Sequence, residues 1–325
     1  MSMSEHPDIV VVVERVRNDE IGGAADSAKE VMEALSKLAQ DSQAEDTESL
    51  VVEVDDAVLD IMRVMPSLAP PINALHQFVG SMERGEAEGA TVKEMKGILQ
   101  KTADDFFEWA ENALVKVAQY GAEKVSDGDR VFMYSMSSTV WRILRTAKAQ
   151  GKSFEVVVTE SRPANEGLWT VTEMDKLDIP VSVSIDACVG ELIPDCDAVF
   201  VGADVISSSG HALCKAGTYP SALVAKASGT PFYIAADTLK FDTATLIGLP
   251  YRNEAIHRDE VLDESYPERA KVVGHLFDET PPELVTAIIT EMGILHPAAA
   301  FTVLQQMNPS EKLSAMLPAW SRGEL

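Results

Sequence analysis

The stretch that decides the fold is AVFVGADVISSSGHALCKAGTYPSALVAKASGTPFYIAADTLKFD, residues 198–242, where an acid and a lysine stand in Gly-rich turns between apolar runs. Val199 to Gly202 reads as a buried strand, and Asp204 follows at its carboxyl end, where open parallel sheets place their binding crevices. Lys215 precedes Gly217-Thr218-Tyr219 at the start of a predicted helix over Ser221 to Ser228, whose N–H groups favour a phosphate. The pair points to a phosphorylated small ligand. A salt bridge between Asp204 and Lys215, tying the loop to the sheet, satisfies the same spacing equally well.

Working outward, the turn Ser126-Asp127-Gly128-Asp129 marks a change of regime. Beyond it, Val131 to Tyr134, Phe154 to Thr159, Val181 to Ile185, Val199 to Val201 and Pro231 to Ala235 are short apolar runs. They recur about 20 to 30 residues apart, the spacing of βαβ units, which calls for a parallel sheet with helices on both faces. Before that turn the pattern is helical. Ala28 to Gln40 has apolar residues at helical spacing, and the polar run Asp41 to Ser49 reads as a loop. Leu68 to Ile72, with Pro70-Pro71, predicts a break before Ile72 to Met82 resumes the helix. A longer helix is predicted from about Thr91 to Lys124, its apolar stripe being core. The fold class is therefore α/β: an N-terminal helical domain over residues 1–125, then a Rossmann-like parallel sheet over 126–325. From Glu283 to Leu325 the tail reads as helical stretches. Its apolar residues Ile294, Leu295, Leu317 and Trp320 fit either a second subunit or ordinary core packing.

Composition excludes several classes. A formal net charge of −25 leaves no basic stripe for a nucleic-acid backbone, so no direct nucleic-acid contact is expected. The acidic excess suits solubility, a high-salt cytoplasm or a basic protein partner. No apolar run reaches the length of a membrane span, and Ile9 to Val13 lacks the basic flank of a signal peptide, so no membrane association is expected. The three cysteines, Cys188, Cys196 and Cys214, have no metal-ligand spacing and read as buried free thiols of a cytoplasmic protein, with neither metal nor cofactor implied.

Three further blocks accompany the opening stretch: Thr159-Glu160-Ser161-Arg162-Pro163, Ile185-Asp186-Ala187-Cys188-Val189-Gly190, and DETPPELVTAIITEMG from Asp278 to Gly293. Together they resemble the family that joins the α, β and δ regulatory subunits of translation initiation factor 2B to two sugar-phosphate isomerases. Those isomerases act on methylthioribose-1-phosphate and ribose-1,5-bisphosphate. The resemblance covers most of residues 126 to 295 in the family's order, and it implies a carboxyl-terminal domain that dimerises, or a higher oligomer.

The turn Tyr134-Ser135-Met136-Ser137-Ser138-Thr139 opens a predicted helix near Val140, and its hydroxyls suit either a phosphate or a helix cap. In the isomerases this turn reads Thr-His-Cys, and the resemblance implies that the cysteine moves a proton between adjacent sugar carbons with an aspartate resembling Asp204. Here Ser135 stands at the cysteine's position and Tyr134 at the histidine's. An ordinary serine hydroxyl does not exchange protons at neutral pH as a thiol does. Cys188 or Cys214 reaching the site by a different route is the alternative source of a thiol, and His211 reads as a solvated loop residue. Ile21-Gly22-Gly23-Ala24 resembles a phosphate-binding turn, Arg-Gly-Ala in the isomerases, in which Gly22 replaces the arginine, and Met65-Pro66-Ser67 resembles a second block, normally Arg-Pro-Thr, from which the arginine is again missing. Two bidentate phosphate contacts are thereby missing.

What persists is Arg162, Asp204, Lys215, Gly217, Thr218 and Lys240, with Asn73 in the proline-rich block and Gly23 in the amino-terminal turn. Arg162 suits an anion or a subunit interface, and Lys240 a second phosphate or a surface pair with Asp242. Ser135 and Asp204 are the candidate catalytic residues. Gly23, Asn73, Ser137, Ser138, Arg162, Lys215, Gly217, Thr218 and Lys240 are the candidate ligand contacts. The missing thiol and arginines favour a non-catalytic protein like the initiation factor 2B regulatory subunits, holding a phosphorylated sugar or nucleotide and a possible protein partner. The alternatives are an aldose–ketose isomerase of a phosphorylated pentose, for which the retained Asp204 and Lys215 speak, and an enzyme of this fold with a new substrate.

Overall fold

The structure, a computed structural model, describes residues 4–18, 20, 23–66, 68–249, 251 and 253–324. The chain divides into two compact units, and neither is a single run of sequence.

The first takes Met1–Glu111, Phe241–Arg252 and Thr302–Leu325. It contains α1 (Pro7–Arg17), α2 (Ala24–Asp41), α3 (Thr47–Val64), α4 (Ala69–Ala87) and most of α5 (Val92–Ala122). Asp46 caps α3 by accepting from the Ser49 N–H at 2.8 Å, so this helix begins inside the predicted polar loop. The predicted break at Pro70-Pro71 is instead the first turn of α4. Proline there loses no hydrogen bond, because first-turn N–H groups have no intrahelical partner.

The second unit takes Asn112–Lys240 and Asn253–Phe301. Its strands are β1 (Arg130–Met133), β2 (Glu155–Thr159), β3 (Val181–Ser184), β4 (Ala198–Gly202), β5 (Val205–Ile206), β6 (Ala212–Lys215), β7 (Phe232–Ala235), β8 (Phe277–Thr280), β9 (Ala287–Thr290) and β10 (Gly293–Leu295). Seven of them form one sheet in the order β10-β9-β7-β4-β1-β2-β3, parallel except for β10. The other three form a small antiparallel sheet, β5-β6-β8. The central strands are near-continuous apolar runs because helices cover both faces. Those helices include α6 (Ser138–Ala149), α7 (Glu166–Asp175), the short α8 (Val189–Leu192) and α9 (Thr218–Ser228). Buried Val140, Ile143, Leu144 and Ala147 recur along α6 at helical spacing and face the core. After β1 the chain moves outward through β2 and β3, then returns to lay β4 on the other side. The strand order therefore reverses between β1 and β4.

The tail differs from its helical reading. Part of it forms β9 and β10 before α10 (Ala300–Gln305) and α11 (Glu311–Ser321). Leu317 and Trp320 are buried in the helical unit, where the Trp320 indole donates to the Met62 carbonyl at 2.8 Å. These apolar side chains fill the chain's own core. Ile294 and Leu295 lie half-buried in β10.

Candidate functional site

In an open α/β sheet the crevice forms at the carboxyl ends of the strands where their order reverses, here between β1 and β4. The turn after β1 and the segment after β4 meet there closely. A Cβ on Gly202, the last residue of β4, would lie 2.6 Å from the Ser137 hydroxyl, so glycine is what allows the approach. Ser137 itself caps α6, accepting from the Val140 N–H at 3.3 Å, and Ser138 is the exposed first residue of that helix.

Ser135 is buried, with φ +61°, a left-handed conformation that few side chains adopt. Three bonds hold it there. Its N–H donates to the Ser161 hydroxyl at 2.8 Å, its carbonyl accepts from Thr170 at 3.4 Å, and its hydroxyl makes a short bond to the Glu166 carboxylate. The other Glu166 oxygen pairs with the Lys215 ammonium at 2.9 Å, and that ammonium lies 4.9 Å from the centre of the Phe277 ring. Ser135, Glu166 and Lys215 thus form one chain of polar contacts.

Asp204 pairs with Lys240 at 3.8 Å, not with Lys215, so the predicted Asp204–Lys215 bridge is absent. Lys240 is not the surface lysine of the alternative reading. It is 8 % exposed, and Asp242 turns away to cap Ala244 at 2.9 Å. Near Lys240 lies Asp237, whose carboxyl burial pushes above its ordinary range despite the lysine's opposing charge. Arg162 is exposed. Asp186 accepts from the Ser161 and Arg162 N–H groups at 2.8 Å each, and the guanidinium reaches the Glu260 carbonyl at 3.1 Å.

The expected phosphate seat at the start of α9 is occupied by the chain itself. Asp278 accepts from the Gly217 N–H at 2.6 Å and from the Tyr219 N–H at 3.0 Å. Burial pushes this carboxyl up to about 6, against the lowering pull of those N–H groups. Thr218 is likewise engaged, its hydroxyl donating to the Lys215 carbonyl at 2.7 Å. Gly217 is fixed by Tyr134. At φ +109° a Cβ there would stand 1.9 Å from the phenol oxygen, which donates to the Ala216 carbonyl at 3.0 Å. Cys214 offers no substitute thiolate: it is wholly buried, and burial together with Asp204 drives its thiol well above the ordinary range. His211 is partly buried and sits 2.9 Å from the Ser209 hydroxyl.

Gly23 and Asn73 belong to the helical unit. Gly23 stands at the start of α2 with φ +91°, and the buried Asn73 amide donates to the Phe241 carbonyl at 2.8 Å. Gly22, which stands in place of an arginine in the amino-terminal turn, lies outside the described residues, as do Ile21 and Ser67, whereas Met65 of the second block is described and buried. Sequence reasoning passed over Glu166 and Asp278. Both were visible as acids, Glu166 four residues after Arg162 and Asp278 opening the last block, but neither has a partner near it in sequence. Among the described residues no group of His, Cys, Asp or Glu is gathered for a metal ion, and no helix is long and apolar enough to cross a membrane.

A mostly parallel sheet whose strand order reverses between β1 and β4, with Asp204 just beyond β4, defines a doubly wound α/β protein. The chain belongs to the Initiation factor 2 subunit family, whose pattern matches residues 20–297. A ribose 1,5-bisphosphate isomerase of Thermococcus kodakarensis is 31 % identical over 303 residues, 92 % of this chain and 94 % of that one. A putative translation initiation factor eIF-2B subunit 2-like protein of Pyrococcus furiosus is 32 % identical over 290 residues, 89 % of this chain and 96 % of that one. The crystal structure of the Pyrococcus horikoshii translation initiation factor eIF-2B superposes with a TM-score of 0.75 at 32 % identity, covering 90 % of this chain and 98 % of that one.

Proposed function

We propose that this protein isomerises a phosphorylated pentose from aldose to ketose in the crevice between β1 and β4. The observation that carries the reading is the placement of buried Ser135 and the Asp204–Lys240 pair on the two sides of the reversal point. Isomerisation of a sugar phosphate needs one group beside the reacting carbons, one to move a proton between the two oxygens, and cations for the phosphate. Ser135 occupies the first place, Asp204 suits the second, and Lys240, Arg162 and the Ser137 and Ser138 hydroxyls suit the third. The relatives named ribose 1,5-bisphosphate isomerase support a phosphorylated pentose as substrate. No cofactor enters this reaction, and a cytoplasmic homodimer or higher oligomer is its working form.

The missing thiol favours a second reading, a non-catalytic subunit that binds a phosphorylated sugar or nucleotide and assembles with a protein partner. One experiment separates the two. Purified protein is given ribose 1,5-bisphosphate, and ketose formation is followed by carbon NMR alongside the thermal midpoint. Turnover that Asp204→Asn reduces by roughly 10²-fold or more supports the isomerase. A raised midpoint without turnover supports the binding subunit.

A further inference from the structure

We infer that Glu166 is the base that takes the proton from carbon, and that Ser135 positions it. The inference rests on the isomerase reading and names a residue that reading lacks. A serine hydroxyl keeps its proton at neutral pH and is a poor base for a carbon acid. Here that proton is already committed, since Ser135 donates it to Glu166. The group with electron pairs to offer is the carboxylate. It has about four acceptor positions, and Ser135 and Lys215 use one each. Glutamate carboxylates abstract protons beside carbonyl groups in sugar-phosphate isomerisation, as in triosephosphate isomerase.

The placement is rigid. Glu166 opens α7, where a negative side chain is favoured by the helix dipole. The next residue, Gly167, donates its N–H to the Glu160 carbonyl at 3.1 Å, holding this end of α7 against the end of β2. The Glu166 and Lys215 side chains are 17 % and 15 % exposed, enclosed but still reached by solvent. A substrate whose reacting carbons lie beside the Ser135 hydroxyl also lies beside the carboxylate bonded to it.

The step balances without a co-reactant. Ring opening breaks the C1–O4 bond with its pair going to O4, which takes a proton relayed through Asp204, while an O1 lone pair forms the C1–O1 double bond. Glu166 then takes the proton from C2, the C2–H pair becomes the C1–C2 double bond, and the C1–O1 π pair returns to O1. The protonated carboxyl then gives its proton to C1, and O2 releases its own proton to become the ketone oxygen. Asp204 takes up the O2 proton, which replaces the one that O4 received on ring opening, so no proton is gained or lost overall. One C–H bond breaks and one forms, and Glu166 ends ionised as it began.

The test follows isomerisation of ribose 1,5-bisphosphate, protonated or deuterated at C2, by proton NMR. Glu166→Gln is expected to lower kcat by roughly 10²- to 10⁴-fold with KM within about threefold. Ser135→Ala, which leaves the carboxylate in place, is expected to lose only about tenfold, with a primary deuterium effect still visible. Glu166→Asp keeps the charge and withdraws it by one methylene; it is expected to lose tenfold or more, and it decides the matter should the Gln variant not fold. Turnover by Glu166→Gln within threefold of the unsubstituted protein overturns the assignment while leaving the isomerase reading intact. So does a Ser135→Ala loss equal to that of Glu166→Gln. No turnover by the unsubstituted protein overturns both.

Discussion

Gly167 sets how closely the first turn of α7 approaches β2, since a Cβ there would lie 1.8 Å from the Thr159 carbonyl oxygen. That neighbour is backbone at the carboxyl end of β2, paired in register with β3, and cannot rotate aside. Gly167→Ala is therefore expected to push α7 outward, carrying Glu166 away from Ser135 and Lys215. The overpacking should cost roughly 1–3 kcal/mol, read as a lower urea midpoint, and pentose-phosphate turnover should fall with it. An unchanged midpoint would mean that the helix start is not pinned. At this scale the sequence exposed half of the candidate site. Asp204, Lys215 and Ser135 stand out because acids, lysines and hydroxyls at the ends of apolar runs are conspicuous. Their partners do not: Glu166 lies 31 residues from Ser135, Asp278 lies 61 residues from Gly217, and only the folded sheet brings each pair together.

Within α4, His76 is buried, and no described residue gives either ring nitrogen a hydrogen bond. Burial holds its pKa down at about 4, with Glu83 the opposing charge. The sign follows directly. The unfolded chain takes up a proton near the ordinary value of 6.5 that the folded chain refuses until about 4, so stability is full above 6.5 and declines as pH falls between these values. The loss amounts to roughly 3 kcal/mol from this one group, at 1.36 kcal/mol for each pH unit. Asp242 and Asp278, both raised to about 6 chiefly by burial, act in the opposite sense, so the comparison must be between variants. His76→Phe is expected to keep its urea midpoint at pH 7.5 and to lose less stability than the parent on titration to pH 4.5. Parallel acid limbs in the two proteins would refute this. Elements with strong periodicity, such as β1, β2, β4 and the long α5, were legible before any coordinates. The start of α4 was not, because proline breaks a helix interior and equally well opens a helix. The short β9 and β10 were not either, since so brief an apolar run suits a strand or a helix until a neighbouring strand decides.

For the molecule as a whole, each of the two compact units is discontinuous in sequence, and no local pattern announces that discontinuity. Helix propensity along the chain says nothing of residues 241–252 or 302–325 joining the amino-terminal helices. The partner of Trp320 is the Met62 carbonyl, 258 residues away, a pairing no local pattern encodes. Charge is the one whole-chain property that sequence states completely. With 52 acidic against 27 basic residues, folding gathers a net −25 into a compact volume, and self-repulsion opposes it. Several surface ion pairs, such as Lys101 with Asp105 and Lys37 with Asp8 and Glu33, offset little of this excess. Raising salt from 0.1 M to 1 M shortens the screening length from about 10 Å to about 3 Å, which weakens repulsion between surface carboxylates far more than it weakens buried pairs such as Lys240 with Asp204. The thermal midpoint is therefore expected to rise with potassium chloride over this range. Each kcal/mol of repulsion so relieved is expected to raise the midpoint by roughly 2–4 °C. Potassium chloride is the salt to use, because sulfate or phosphate would strengthen apolar burial and imitate the effect. A flat or falling midpoint would mean that the acids are spaced widely enough on the surface not to oppose folding, and the excess would then be read as a docking charge for a basic partner.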